Sequence, residues 1–222
     1  MDSSRSSRLW IGMALMTVLA GVMAADKPAP PAKDSSQISL FNGKNLDHWK
    51  ATDFGGQGEV EVKDGQLVLN HGETLTGVTW QGPVPAKMNY EINFDAQRVD
   101  GTDFFVGLTF PVNNDCASLI CGGWGGSLCG ISCLDHNDAA NNETTKIVKF
   151  ENGKWYHIRL RVTPDHIQAW VDDDDIVDVN TKDKKVSVRF EVEASQPLGL
   201  ASYMSTAAIK NLTLKKLAPD AK

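Results

Sequence analysis

Met88 to Gln97 alternates without a break. Met88, Tyr90, Ile92, Phe94 and Ala96 are apolar, and Asn89, Glu91, Asn93, Asp95 and Gln97 are polar. Successive side chains of an extended chain point to opposite sides, so this pattern fits a strand with one buried face, not a helix with its repeat of about 3.6 residues. Val186, Val188, Phe190 and Val192 alternate with Ser187, Arg189, Glu191 and Glu193 and predict a second such strand. Phe104 to Phe110 is a continuous apolar run, which predicts a central strand covered on both faces. Asp64-Gly65, Gly82-Pro83, Asp100-Gly101, Asn152-Gly153 and Thr163-Pro164 punctuate the chain with turn signals. Beyond the N-terminal segment no amphipathic helix of useful length is found. Roughly a dozen short strands separated by turns imply an all-β sandwich or barrel.

One hairpin can be registered directly. Tyr156, Ile158, Leu160 and Val162 share one face, and Ile167, Ala169 and Val171 share another. A loop from Thr163 to His166 pairs Val162 with Ile167, Leu160 with Ala169 and Ile158 with Val171; a loop one residue shorter mixes the faces. Register follows the buried face, so the longer loop is expected. Arg159 then lies across from Trp170, placed for a cation–π contact. The opposite face carries Trp155, His157, Arg159 and Arg161 beside Gln168, Trp170 and Asp172. It either lines a ligand groove or is a solvated outer sheet held by cross-strand pairs, and the second is the plainer expectation.

The N-terminus reads as an export signal. Arg5 and Arg8 precede a nearly unbroken apolar run from Leu9 to Val22, and Val22-Met23-Ala24 fits a cleavage site, so residues 1–25 are assigned to a signal peptide. The run is shorter than the roughly 20 residues of a membrane span, and no stable membrane insertion is expected after cleavage. Residues 26–36, rich in Pro, Ala and Lys, read as a linker. Residues 37–218 form the domain and 219–222 a tail. An exported protein, periplasmic, cell-surface or secreted, follows. The formal net charge of −6, without a basic cluster, argues against nucleic acid and suits a small neutral ligand.

The cysteines fall together at Cys116, Cys121, Cys129 and Cys133, without the knuckle spacing of a zinc site. On one extended strand Cys129 and Cys133 would sit about 13 Å apart, at roughly 3.3 Å per residue, too far to bond. Either Cys121 pairs with Cys129 across a hairpin, or the thiols are buried and free. Asp172 to Asp175 reads as a charged hairpin turn, since adjacent carboxylates rarely converge on one ion. No metal and no cofactor is expected.

Several segments resemble one family. Ser39-Leu40-Phe41-Asn42-Gly43-Lys44-Asn45-Leu46-Asp47-His48-Trp49 is similar to the opening of the 3-keto-disaccharide hydrolase domain. Val62-Lys63-Asp64-Gly65-Gln66-Leu67 resembles its early hairpin, and Gly153-Lys154-Trp155-Tyr156-His157-Ile158 a later strand. Pro197-Leu198-Gly199-Leu200 and Ile209-Lys210-Asn211-Leu212-Thr213-Leu214 resemble its closing segments. The resemblance implies a concanavalin A-like jelly-roll β-sandwich of two antiparallel sheets. It also implies cleavage, by hydrolysis or elimination, of glycosides whose sugar is oxidised at position 3. Two stretches depart from the pattern: Thr102 to Pro111, and Cys121 to Asp135, where only Leu134-Asp135 keeps a likeness.

Proton abstraction beside a ketone needs a base, an oxyanion partner and an acid for the leaving group. Asp103, Asp135, His136 and Glu143 are the ionisable residues nearest the departing stretches and are the catalytic candidates. Each has a plainer reading: Asp103 as a turn-capping carboxylate, the other three as solvated loop residues. Trp124, set among Gly122, Gly123, Gly125 and Gly126, is the first candidate for stacking on a sugar, with Trp80 as a second platform. Gly123 and Asn142 are further candidate substrate contacts. Alternatives on the same fold are a non-catalytic carbohydrate-binding module and an extracytoplasmic interaction protein.

Overall fold

The computed structural model describes residues 37–218; the expected signal peptide, linker and tail lie outside the described residues. Fifteen strands follow in chain order: β1 (Gln37–Ser39), β2 (Trp49–Ala51), β3 (Val60–Lys63), β4 (Gln66–Leu69), β5 (Leu75–Trp80), β6 (Tyr90–Gly101), β7 (Val106–Val112), β8 (Asp115–Gly122), β9 (Leu128–Ser132), β10 (Lys146–Ile147), β11 (Trp155–Val162), β12 (His166–Val171), β13 (Asp174–Asn180), β14 (Gly199–Tyr203) and β15 (Ser205–Lys216). Eight form one antiparallel sheet, ordered β13-β12-β11-β6-β15-β4-β3, with β1 also on β15. Seven form the other, ordered β10-β9-β8-β7-β14-β5-β2.

The inner faces share one core, as two half-buried sheets must. Tyr90, Ile92, Phe94 and Ala96 of β6 join Leu108, Phe110, Leu119 and Ile131 of the seven-stranded sheet in a single cluster. β7 is buried along its whole length, as its unbroken apolar run predicts. The predicted hairpin forms in the predicted register, Val162 opposite Ile167 and Ile158 opposite Val171. The Arg159 guanidinium lies 3.8 Å from the centre of the Trp170 ring. Asp172 and Asp173 make the turn between β12 and β13, as expected, and Asp174 and Asp175 open β13.

Two sequence expectations are corrected. Val186 to Glu193 is not a strand: Val186 makes only an isolated bridge to Leu134, and Phe190–Ser195 is a 3-10 turn. Its backbone pairing ends at Ser187, which exchanges two hydrogen bonds with Cys133, and beyond it Phe190, expected inside, is 78% exposed. Asp100-Gly101 is not a chain reversal but the end of β6, where Gly101 takes φ 108° and a Cβ would meet Ser205 Cα at 2.4 Å. The four cysteines are free and buried. Cys121 and Cys129 do face each other across β8 and β9, and the contact with Cys129, then burial, hold the Cys121 thiol well above its ordinary pKa.

Candidate functional site

The outer face of the seven-stranded sheet carries a groove. Ala117, Leu119, Cys121, Cys129 and Ile131 point into the core, so the period of two sends Ser118, Ile120, Leu128 and Ser132 outward. Ser118 and Ser132 are direct cross-strand partners, and Ser118 Oγ is 3.0 Å from Thr109 Oγ1. Two segments fold over this face. Ala139 packs on Ile120 and Leu128, and Val188 and Val192 pack with Leu75 and Ala201. The cavity left on this face is about 330 Å³, with Ser118 and Ser132 among its lining. That is the scale of a small-molecule site, roughly 300–1,000 Å³.

Trp124 stands at the groove, 45% exposed, on a single helical turn, α1 (Gly123–Gly126). The backbone here is left-handed at Gly122, Trp124, Gly125 and Gly126, with φ 80°, 49°, 88° and 106°. Glycines take that conformation freely; Trp124 does so at a cost and needs fixing in place. Asp103 supplies part of the fixing: Oδ2 accepts the Gly125 amide at 2.9 Å and Oδ1 the Phe104 amide at 2.8 Å. Arg98 supplies the rest. Its buried guanidinium donates to Gly126 O, Asp103 O, Phe150 O and Asn152 Oδ1. Burial, the larger influence, lowers its pKa from the ordinary arginine value, while Tyr156 and Asp103 oppose the shift.

Across the groove Arg189 forks onto Glu191, Nη2 to Oε1 at 2.6 Å and Nε to Oε2 at 3.1 Å. Its Nη1 reaches Asp138 Oδ2 at 2.8 Å, tying the two covering segments together. This hydrogen bonding holds Glu191 below the ordinary carboxylate value and Arg189 above its own. Tyr203 and Phe104 complete an aromatic edge, their ring centres 6.0 Å apart.

The sequence profile of the 3-keto-alpha-glucoside-1,2-lyase-like domain matches residues 36–215. The chain belongs to this family.

Solved structures place this family member on a concanavalin A-like scaffold. The Crh5 transglycosylase in complex with NAG superposes with a TM-score of 0.57 at 13% identity, over 83% of this chain and 85% of that one. SCLam, a non-specific endo-beta-1,3(4)-glucanase from family GH16, gives 0.54 at 12%, over 85% and 94%. The carbohydrate-binding module CBM66 from Bacillus subtilis gives 0.53 at 14%, over 78% and 98%. No curated protein matches significantly by sequence. The two stretches that depart from the family pattern, Thr102 to Pro111 and Cys121 to Asp135, bring Asp103, Phe104, Trp124 and Ser132 to the groove.

Of the residues singled out from sequence, Asp103, Gly123 and Trp124 come together at the groove. Gly123 lies directly behind the Asp103 carboxylate; a Cβ there would stand 3.9 Å from Oδ1 and 2.9 Å from Ile120 Cγ2. The others lie apart from it. Asp135 Oδ1 accepts the Lys185 amide at 2.9 Å, and Glu143 pairs with Lys184 at 2.8 Å. His136 lines a neighbouring depression that shares Arg189 and Glu191 with the groove. Asn142 is a staple: its Nδ2 faces Ile131 O, Asn137 O and Asp138 O, and its Oδ1 accepts from Thr144. Trp80 packs edge-on against Trp49, with ring centres 5.1 Å apart, and donates to Pro83 O. Arg98, Arg189, Glu191 and Tyr203 were not singled out. Arg189 and Glu191 were hidden by the alternation that made their segment read as a strand.

Proposed function

We propose that this is an exported carbohydrate-binding domain, in which a sugar ring stacks on Trp124 and hydrogen-bonds to the Arg189–Glu191 pair, Ser118 and Ser132. An indole face beside fixed donors and acceptors is the chemistry that recognises a sugar, apolar on its C–H face and polar at its rim. The scaffold does not choose between binding and cleavage, since both glucanase and binding module share it. The groove's carboxylates favour binding. Asp103 has both oxygens on backbone amides, and Glu191 has both on Arg189. Held in this way, the two carboxylates are fixed acceptors that orient a sugar hydroxyl, the role a binding site needs.

A second reading, elimination from a 3-keto-glycoside, is favoured by the family to which the chain belongs. There Glu191 would act as base with Arg189 beside it as the partner of the developing oxyanion. Isothermal titration of the purified protein with glucose, cellobiose and 3-keto-glucose tests the first reading. Saturable heat with at least one, weakened about tenfold or more in Trp124→Ala, is expected. No saturable heat with any of them, or equal affinity in the variant, contradicts it.

A further inference from the structure

A second groove lies on the other sheet, and it is the larger of the two at about 690 Å³. It runs over the outer face of β6, β11 and β15, walled by β1 and the Phe41–Gly43 loop. His157 and Asp95 are cross-strand partners there, with Nδ1 2.9 Å from Asp95 Oδ1. A carboxylate only accepts, so the imidazole donates from Nδ1, and in the neutral tautomer this leaves the lone pair on Nε2. Asp95 is itself held in place. The register of β15 against β6 slips between Lys210 and Thr213, inserting one extra residue. The slip puts Asn211 in the left-handed region, φ 56°, and its Nδ2 donates to Asp95 Oδ2 at 2.6 Å. A bulge that re-aims one side chain onto a His–Asp pair is a device for orienting that pair, because an ordinary ladder would have sufficed for the sheet.

The chemistry of the walls selects the ligand. The acidic groups have partners, Glu91 with Arg161 at 3.0 Å and Asp95 with His157 and Asn211. The rest of the lining includes amides and hydroxyls: Gln37, Asn42, Asn93 and Thr213. Such a surface offers mixed donors and acceptors without a strong field of one sign, which fits hydroxyl groups better than a phosphate or a carboxylate. Four segments that carry the family resemblance each contribute here: Asn42, Gly65, His157 and Asn211. We propose that this groove is a second binding site, distinct from the Trp124 groove, for a neutral polyhydroxylated ligand of the sugar class, with His157 Nε2 accepting one of its hydroxyls.

The two grooves lie on opposite sheets, so one amide NMR titration reads both separately. The purified protein is titrated with trehalose, sucrose, cellobiose and lactose. At least one is expected to shift the amides of His157, Asn211 and Thr213 saturably, with affinity falling about tenfold in His157→Ala. Asn211→Ala, which frees Asp95 without removing the imidazole, is expected to weaken the same ligand by about threefold or more. His157 is half-exposed, so its truncation leaves the rest of the spectrum in place. The proposal is overturned if no sugar shifts these amides saturably, or if both variants bind as tightly as the wild type. Shifts confined to Ser118, Trp124 and Ser132 overturn it too, while leaving the first groove's reading intact.

Discussion

Asp103 and Gly125 are joined by a 2.9 Å hydrogen bond from the glycine amide to Oδ2, and through it a carboxylate near β7 fixes the turn that presents Trp124. In the proposed binding mode Asp103 therefore acts on a sugar through the indole. Asp103→Ala removes the acceptor of two backbone amides and should weaken sugar binding several-fold, with a stability loss of about 1–3 kcal/mol. Asp103→Asn keeps one carbonyl acceptor and should retain most of both. Comparing the two by calorimetry and urea unfolding checks this; equal losses in Ala and Asn would give the charge itself a direct role.

Arg98 is the buried counterpart of Asp103. Its guanidinium donates to three carbonyls and one side-chain amide, and the bonds to Gly126 O and Phe150 O are buried. Arg98→Met fills part of the space but leaves them unpaired, and should cost about 3 kcal/mol or more. For a domain of this size that lowers the melting temperature by roughly 6–12 °C. A change of only 1–2 °C would mean that the glycine turn does not depend on Arg98.

The Arg189–Glu191 pair sets an acid limit. Because Glu191 is held below its ordinary pKa in the folded protein, its contribution is fully present above about pH 4.3, the unfolded value, and is lost as pH falls through the lower folded pKa. Sugar affinity should thus be flat from neutrality down to about pH 4.5 and fall below it. Glu191→Gln should abolish that acid dependence. An affinity that already falls between pH 7 and 5 would point to another titrating group.

On the large sheet, Arg159 stacked on Trp170 should contribute about 0.5–1 kcal/mol. A double-mutant cycle with Arg159→Ala and Trp170→Leu, read by urea unfolding, measures the coupling; additivity of the two changes would remove the contact from the account.

The hairpin holding that pair was legible from sequence because two constraints coincide there, a buried face on each strand and a loop length that aligns them. β6 was legible for the same reason, its alternation being continued by strands on both sides. Val186 to Glu193 has equal alternation, but alternation reports only which side chains an extended chain could bury. Whether a partner strand lies alongside is decided by topology. The site divides in the same way. Trp124 could be found from its flanking glycines, a local signal. Arg98 could not, because most of its acceptors lie 28 to 54 residues away. Arg189 and Asp138 likewise meet across 51 residues.

In the proposed reading the Trp124 groove binds a sugar without cleaving it. Mixing the purified protein with the 4-nitrophenyl glycoside of 3-keto-glucose, while following tryptophan fluorescence and nitrophenolate absorbance together, tests it in one experiment. Saturable quenching, lost in Trp124→Ala, is expected, with no nitrophenolate above the uncatalysed rate. Nitrophenolate release by the wild type that disappears in Glu191→Gln would contradict it and make this domain a glycoside-cleaving enzyme.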